Sequence, residues 1–330
     1  MPIHLLLSRT AAERFGSRIA TVLEGSDPRL VHDDDADAIG AIDAAFLTRD
    51  VTGSSSKYQL APPLARFCAA LERAPSLRWV HTHSAGADRP FLLDLVRRGV
   101  TVTTSSGANA GTVAVSAVGG IIALARRFPH FMGAQRRHAW EPISDIGGHA
   151  PPDLAGQTAV VVGLGPIGRE ISRLLRAFGL RVVGVRRSPA PVAECDETID
   201  YGGLAGHLPS ADWLVLACPL SDSTRNLVDA HTLALLPRGA HVINVARGEV
   251  IVEEALIAAL KSNALGGAFL DVFQREPLEP ASPLWDLPTL MISPHTSGRS
   301  AGNYDRVGEI FLDNLARWLE GRGLRNRAAA

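Results

Sequence analysis

The sequence predicts an α/β protein of two doubly wound domains, and three observations carry that prediction. Short apolar runs alternate with helix-length amphipathic stretches along nearly the whole chain. Of six such runs between residues 158 and 293, most are too short for helices and four are rich in Val or Ile, as parallel strands buried on both faces are. The length of 330 residues matches two domains at roughly 150 residues each.

The elements follow in order. In the first hundred residues, strands expected at 3–7, 44–47 and 77–80 alternate with helices at 11–23, 63–73 and 90–98. Segment 109–128 is small-residue and aliphatic throughout (Val113, Val115, Val118, Ile121, Ile122, Leu124), which predicts one long buried helix connecting the domains. A loop rich in Gly and Pro (Gly147, Gly148, Pro151, Pro152) precedes the second alternation, with strands at 158–162, 180–185, 213–217, 241–245, 268–272 and 290–293. The last helix sets Tyr304, Val307, Phe311, Leu315 and Trp318 at steps of three and four, an amphipathic face expected to return to the first domain. The predicted division is 1–103 plus 297–330 for one domain and 104–296 for the other. Asp33, Asp34, Asp35 and Asp37 read as a solvated turn or helix start, and the basic tail (Arg322, Arg325, Arg327) as a frayed end.

Composition excludes several function classes. Hydrophobic residues make up 46% and charged residues 20%, with 33 basic against 34 acidic side chains, which argues against disorder and against an electrostatic grip on nucleic acid. Cys68, Cys195 and Cys218 are odd in number and lack C-x-x-C spacing, so they form no disulfide framework, indicate no zinc, and point to a reducing compartment. The N-terminal apolar run lacks a basic flank and a cleavage-type site, and no stretch of about 18 residues is apolar throughout. A cytoplasmic protein is expected, with no membrane and no nucleic-acid partner.

Function has to be read from spacing. Gly163, Gly165 and Gly168, with Pro166 and Ile167 between them, spell G-x-G-x-x-G directly after one predicted strand and open a helix-like run. The bare pattern is weak, but this context is that of a dinucleotide-binding (Rossmann) turn: tight bend, backbone approach to a pyrophosphate, close helix–strand packing. About 20 residues on, where NAD-binding units place an acid for the ribose hydroxyls, this chain has Arg186, Arg187 and Ser188. Two guanidiniums and a hydroxyl suit a 2′-phosphate, so NADP(H) is the preferred cofactor and NAD(H) the secondary one.

Ligands of open parallel sheets lie beyond the carboxyl ends of the strands. There the sequence places Cys218 and Pro219, then Ala246 and Arg247, then a loop with Glu276, then His295. A guanidinium to hold a carboxylate and polarise a keto oxygen, an imidazole to pass a proton, and a carboxylate beside it suit hydride exchange at a carbinol next to a carboxylate.

These stretches resemble the D-isomer-specific 2-hydroxyacid dehydrogenases, among them the NADP(H)-dependent glyoxylate/hydroxypyruvate reductases. The matching segments are VVGLGPIGR (161–169), LACPL (216–220), VINVARG (242–248), GAFLDVFQREPL (267–278), SPLWD (282–286) and ISPHTSG (292–298), with the turn Ser84-Ala85-Gly86-Ala87-Asp88. The first 75 residues match only in their alternation. The resemblance implies a flavodoxin-like substrate domain beside the Rossmann domain, Arg247 as substrate-orienting cation, His295 as general acid/base and Glu276 as its partner. It also implies that backbone amides around Ser84, Ala85 and Gly86 bind the substrate carboxylate, that Asn244 and Asp271 lie near the nicotinamide, and that Thr224 belongs to the loop on the adenosine side. A homodimer formed through the nucleotide-binding domain is implied as well, and Trp140 matches a tryptophan that in some relatives reaches the neighbouring active site.

Departures narrow the reading. Val115 and Ser116 stand where many relatives have Ala-Glu, and Glu276 stands where formate dehydrogenases have glutamine. The expected activity is NADPH-dependent reduction of a small 2-keto acid to the D-2-hydroxy acid. The alternatives are a nucleotide-sensing, corepressor-like binding protein and a phosphite dehydrogenase. The keto acid itself is not readable, because residues 48–60, expected to form much of the pocket wall, carry little resemblance.

Overall fold

The computed structural model describes residues 2–25, 28–53, 55, 59–142 and 150–328. Gly147 and Gly148 lie outside the described residues, as do residues 54 and 56–58 of the expected pocket wall. The chain divides into two compact units, Met1–Asn109 with Ser300–Ala330, and Ala110–Arg299. The sequence reading had set the breaks at 103/104 and 296/297.

The first unit holds β1 (Ile3–Leu7), β2 (Pro28–Val31), β3 (Ala44–Leu47), β4 (Trp79–Thr82) and β5 (Thr101–Thr104), all parallel, in the order β2-β1-β3-β4-β5. That is the flavodoxin-like order. Alternation along the strands builds two cores: Leu5 and Leu7 pack with Phe15, Ile19, Phe311 and Leu315, whereas Leu6 joins Leu64, Phe67 and Leu92. Helices Arg9–Val22 and Asn303–Leu319 therefore cover one face, and Pro62–Glu72 and Pro90–Arg97 the other. The last helix is fixed by aromatic contact, with Phe311 stacked on Phe46 at 4.0 Å between ring centroids.

The tail is not frayed, contrary to the sequence expectation. Thr103 and Arg327 form an antiparallel bridge, and the Thr104 amide donates to Asn326 O at 3.0 Å. Fully buried Asn314 accepts from the Arg325 amide at 2.8 Å and donates to its carbonyl at 3.1 Å. Backbone pairing, invisible to a composition argument, thus covers the edge of β5.

His81 is fully buried between the hydroxyls of Thr103 (2.8 Å) and Ser105 (2.9 Å). Burial, with the neighbouring His83, pushes its pKa down to about 3. Between its ordinary pKa near 6.5 and that value, the unfolded chain takes up a proton that the folded chain refuses, so stability falls as pH falls. Urea denaturation at pH 5 should show a loss of roughly 1–2 kcal/mol from this histidine relative to pH 7. A His81→Asn variant should lose less over that interval; an equal loss would refute the assignment.

The second unit holds β6 (Thr158–Val162), β7 (Arg181–Val185), β8 (Glu197–Ile199), β9 (Trp213–Leu216), β10 (His241–Asn244), β11 (Gly267–Leu270) and β12 (Leu290–Ile292). All are parallel, in the order β12-β11-β10-β9-β6-β7-β8. Strand order reverses between β6 and β9, which puts a ligand crevice at their carboxyl ends. The helix expected over 109–128 is Ala110–Ala125, and a second helix, Phe128–Arg136, follows it. Pro129 has no N–H to give the carbonyl of Ala125, so the first helix ends there, and Arg127 turns the chain in the left-handed region (φ 55°). Among the described residues no single helix is long and apolar enough to cross a membrane.

Candidate active site

The glycine turn after β6 is shaped by contacts that exclude side chains. Gly163 has φ 96°, donates to Val185 O at 2.8 Å, and a Cβ there would stand 2.5 Å from Cys218 Cα and N. A Cβ on Gly168 would stand 1.8 Å from Gly163 O, so the helix Pro166–Ala177 starts in direct contact with the turn. A Cβ on Gly165, by contrast, would meet nothing within 4 Å. The first bond of that helix runs from the Arg169 amide to Gly165 O (3.0 Å), which leaves the amides of Ile167 and Gly168 without intrahelical acceptors. Open room above Gly165 with free amides at a helix N-terminus fits the diphosphate of a nicotinamide dinucleotide.

Arg186, Arg187 and Ser188 follow β7 directly; the Arg186 amide donates to Ile199 O at 3.0 Å. Arg186 is half-buried and the other two are exposed. Among the described residues neither guanidinium is in an ion pair, whereas Arg169, Arg173, Arg176 and Arg181 on neighbouring elements all are. Beyond β9, burial pushes the Cys218 thiol up to about 11, so it packs as a neutral side chain against Gly163. The Thr224 hydroxyl accepts from the Ser221 amide (2.8 Å) and donates to Pro219 O (2.7 Å), closing the loop that Pro219 opens.

Three strand ends then assemble a polar cluster. Asn244, at the end of β10, accepts from the Ala246 amide (3.0 Å) and donates to Arg247 O (3.0 Å), which fixes the turn carrying Arg247. The Arg247 guanidinium donates to Ala246 O at 2.8 Å. A Cβ on Gly248 would lie 1.9 Å from the carbonyl carbon of Phe273, so this turn rests on the backbone of the loop bearing Glu276. Glu276 accepts from the Phe273 amide (3.1 Å) and, through its other oxygen, pairs with His295 Nδ1 at 2.8 Å. Burial pushes the Glu276 carboxyl upward, but the hydrogen bond and charge of His295, the Phe273 amide and the Arg247 charge outweigh it and hold the group below its ordinary value.

Asp271 is buried beyond β11 and organises the segment around His295. Its carboxylate accepts from the Ser293 hydroxyl (2.5 Å) and from the amides of Thr296 (2.9 Å) and Ser297 (3.1 Å), while its carbonyl accepts the His295 amide (2.8 Å). His295 is thereby held in the left-handed region (φ 48°), uncommon for a residue with a side chain.

The structure thus brings Arg247, Glu276, His295, Asn244, Ala246 and Asp271 into one network within a single unit. Ser84, Ala85 and Gly86 belong to the other unit. There the Ser84 hydroxyl donates to Gly86 O (2.7 Å) and lies 3.0 Å from Thr82 Oγ1, and the amides of Ala85 and Gly86 make no hydrogen bond among the described residues. Sequence reasoning assigned no role to Gly248, Ser293 or Ser297. All three stand inside segments that it did quote, but only tertiary contact shows what they do.

Comparison with known proteins agrees with this architecture. The family model described as D-isomer specific 2-hydroxyacid dehydrogenase, NAD binding domain, matches residues 118–297. The chain is similar to a glyoxylate reductase of Korarchaeum cryptofilum, 31% identical over 76% of this chain and 75% of that one. It is also similar to a glyoxylate/hydroxypyruvate reductase of Arabidopsis thaliana, 33% identical over 77% of each. Among solved structures, a D-isomer specific 2-hydroxyacid dehydrogenase of Xanthobacter autotrophicus in complex with NADPH superimposes with a TM-score of 0.77 at 28% identity, covering 99% of this chain and 98% of that one. An NADPH-dependent glyoxylate/hydroxypyruvate reductase of Sinorhizobium meliloti, in complex with NADP and sulfate, gives 0.74 at 26% identity over the same shares.

Proposed function

The chain belongs to the D-isomer specific 2-hydroxyacid dehydrogenases, an oxidoreductase family, and on that premise we propose that it reduces a small 2-keto acid, such as glyoxylate or hydroxypyruvate, to the D-2-hydroxy acid with NADPH. The observation that carries this reading is the 2.8 Å pair of His295 Nδ1 with Glu276, braced by the Arg247 turn. A bound nicotinamide supplies the hydride. Glu276 fixes the orientation of the imidazole and leaves Nε2 to give a proton to the keto oxygen. Arg247 stabilises the charge that develops on that oxygen and orients the substrate carboxylate. The amides of Ala85 and Gly86, with the Ser84 turn, are donors suited to a substrate carboxylate.

The dinucleotide is assigned to the unit 110–299, with its diphosphate at Gly163–Gly168 and its 2′-phosphate at Arg186, Arg187 and Ser188. Cys218, Pro219, Thr224, Asn244, Ala246 and Asp271 shape the walls; the polar groups of Thr224 and Asn244 are already spent on their own loops, and that of Asp271 on the segment around His295, so they act by positioning. Support for NADP(H) over NAD(H) comes from the two guanidiniums, which make no ion pair among the described residues, where an acid would repel the 2′-phosphate. An Arg186→Ala variant should raise KM for NADPH roughly 10- to 100-fold, the worth of a charge-assisted hydrogen bond, and change KM for NADH less than about twofold. Steady-state kinetics with both cofactors over a panel of 2-keto acids tests the whole reading, and wild-type preference for NADH would overturn its cofactor half.

A homodimer through this unit is part of the same proposal. Val115 (65% exposed), Phe128 (50%), Met132 (54%) and Trp140 (96%) expose apolar surface along one stretch of chain, more than isolated surface residues do. Equilibrium ultracentrifugation should find a dimer at micromolar concentration.

A further inference from the structure

An open cleft at the glycine turn is lined by Leu164, Gly165, Pro166, Arg169, Glu170 and Glu194. Glu170 is taken by Arg173 on its own helix (2.7 Å). Arg169 reaches across to Glu194, and its Nε and Nη2 both contact that carboxylate, at 3.1 and 2.9 Å from Oε1. Glu194 stands at the far end of the connection between β7 and β8 that begins with Arg186, Arg187 and Ser188. The fork of Arg169 therefore grips a carboxylate inside the cleft that adjoins the glycine turn, on the loop that carries the cations assigned above to the 2′-phosphate.

We propose that Arg169 is a third guanidinium of the 2′-phosphate site, and that Glu194 holds it as a carboxylate stand-in for that phosphate until the cofactor binds. A guanidinium fork accepts carboxylate and phosphate in the same bidentate geometry, and the phosphate carries more charge. The existing pair is easily given up, because half of the Arg169 side chain is exposed (52%) and such surface pairs contribute little to stability. Exchange does not cost the loop its anchorage: Arg176, two turns further along the helix, donates to Ala193 O (2.9 Å) and pairs with Asp196 (3.2 Å), on either side of Glu194. The loop thus stays tied while Glu194 lets go.

This inference rests on the NADP(H) reading, and nucleotide fragments separate the two. Isothermal titration of the full-length protein with 2′,5′-ADP and with 5′-ADP measures the 2′-phosphate alone, without turnover. Arg169→Ala should weaken 2′,5′-ADP about tenfold and leave 5′-ADP unchanged; Glu194→Gln should tighten 2′,5′-ADP about threefold by removing the competitor. Arg169→Ala binding both nucleotides as the wild type does, or losing both equally, overturns the proposal. So does Glu194→Gln with unchanged 2′,5′-ADP affinity. Wild-type protein that binds the two nucleotides equally overturns the NADP(H) reading itself.

Discussion

Replacing His295 with asparagine should lower kcat by about 10²- to 10⁴-fold, the usual worth of a positioned general acid. Asparagine is the informative choice because His295 sits at φ 48°, a conformation that asparagine adopts more readily than other residues with side chains. The variant therefore keeps the backbone bonds to Asp271 and Ser293 while it removes the imidazole. Nucleotide binding measured by titration should stay within a few-fold of wild type, so the loss falls on kcat. Unaltered turnover would take the proton transfer away from His295.

Gly168→Ala is expected to be as damaging through a different route. The added methyl would stand 1.8 Å from Gly163 O, and Gly163 cannot retreat, since its own α-carbon faces Cys218 backbone at a distance that admits no side chain. The helix Pro166–Ala177 must shift off β6, an overpacking cost of about 1–3 kcal/mol or more, and the open amides of Ile167 and Gly168 move with it. Thermal unfolding should show a lowered Tm, and nucleotide titration a loss of about 100-fold or more in affinity. Wild-type affinity in this variant would mean that the turn does not receive the diphosphate.

What was legible in the sequence was whatever depends on local pattern. The apolar runs marked β1, β3, β4, β6, β7 and β9–β12, because strands buried on both faces need continuous apolar residues. The three unmarked strands lack that need. In β2 only Val31 is buried, and β8 is three half-buried residues at the sheet edge. β5 reads as polar, Thr-Val-Thr-Thr, yet it is buried because Trp79 Nε1 and His81 satisfy the Thr103 hydroxyl. In the site, Arg247, Glu276 and His295 were visible as polar residues just past strand ends. Gly248 was not, because the demand for a missing Cβ comes from Phe273, 25 positions away. Nor were the Ser293 and Ser297 bonds to Asp271, which join segments more than 20 residues apart.

The return of residues 300–328 to the first unit sets an order of events during synthesis. The second unit, continuous from Ala110 to Arg299, has its whole chain while the first still lacks its last helix. Until Val307, Phe311 and Leu315 emerge, the face formed by Leu5, Leu7, Phe46 and Trp79 has no cover, and the edge of β5 has no partner. At about 5–20 residues per second, synthesis of residues 300–328 takes roughly 2–6 s, during which a nascent chain presents both an apolar face and an open strand. Chains stopped short of Val307 would stay in that state, which makes the final helix the element that ends the protein's exposure to aggregation.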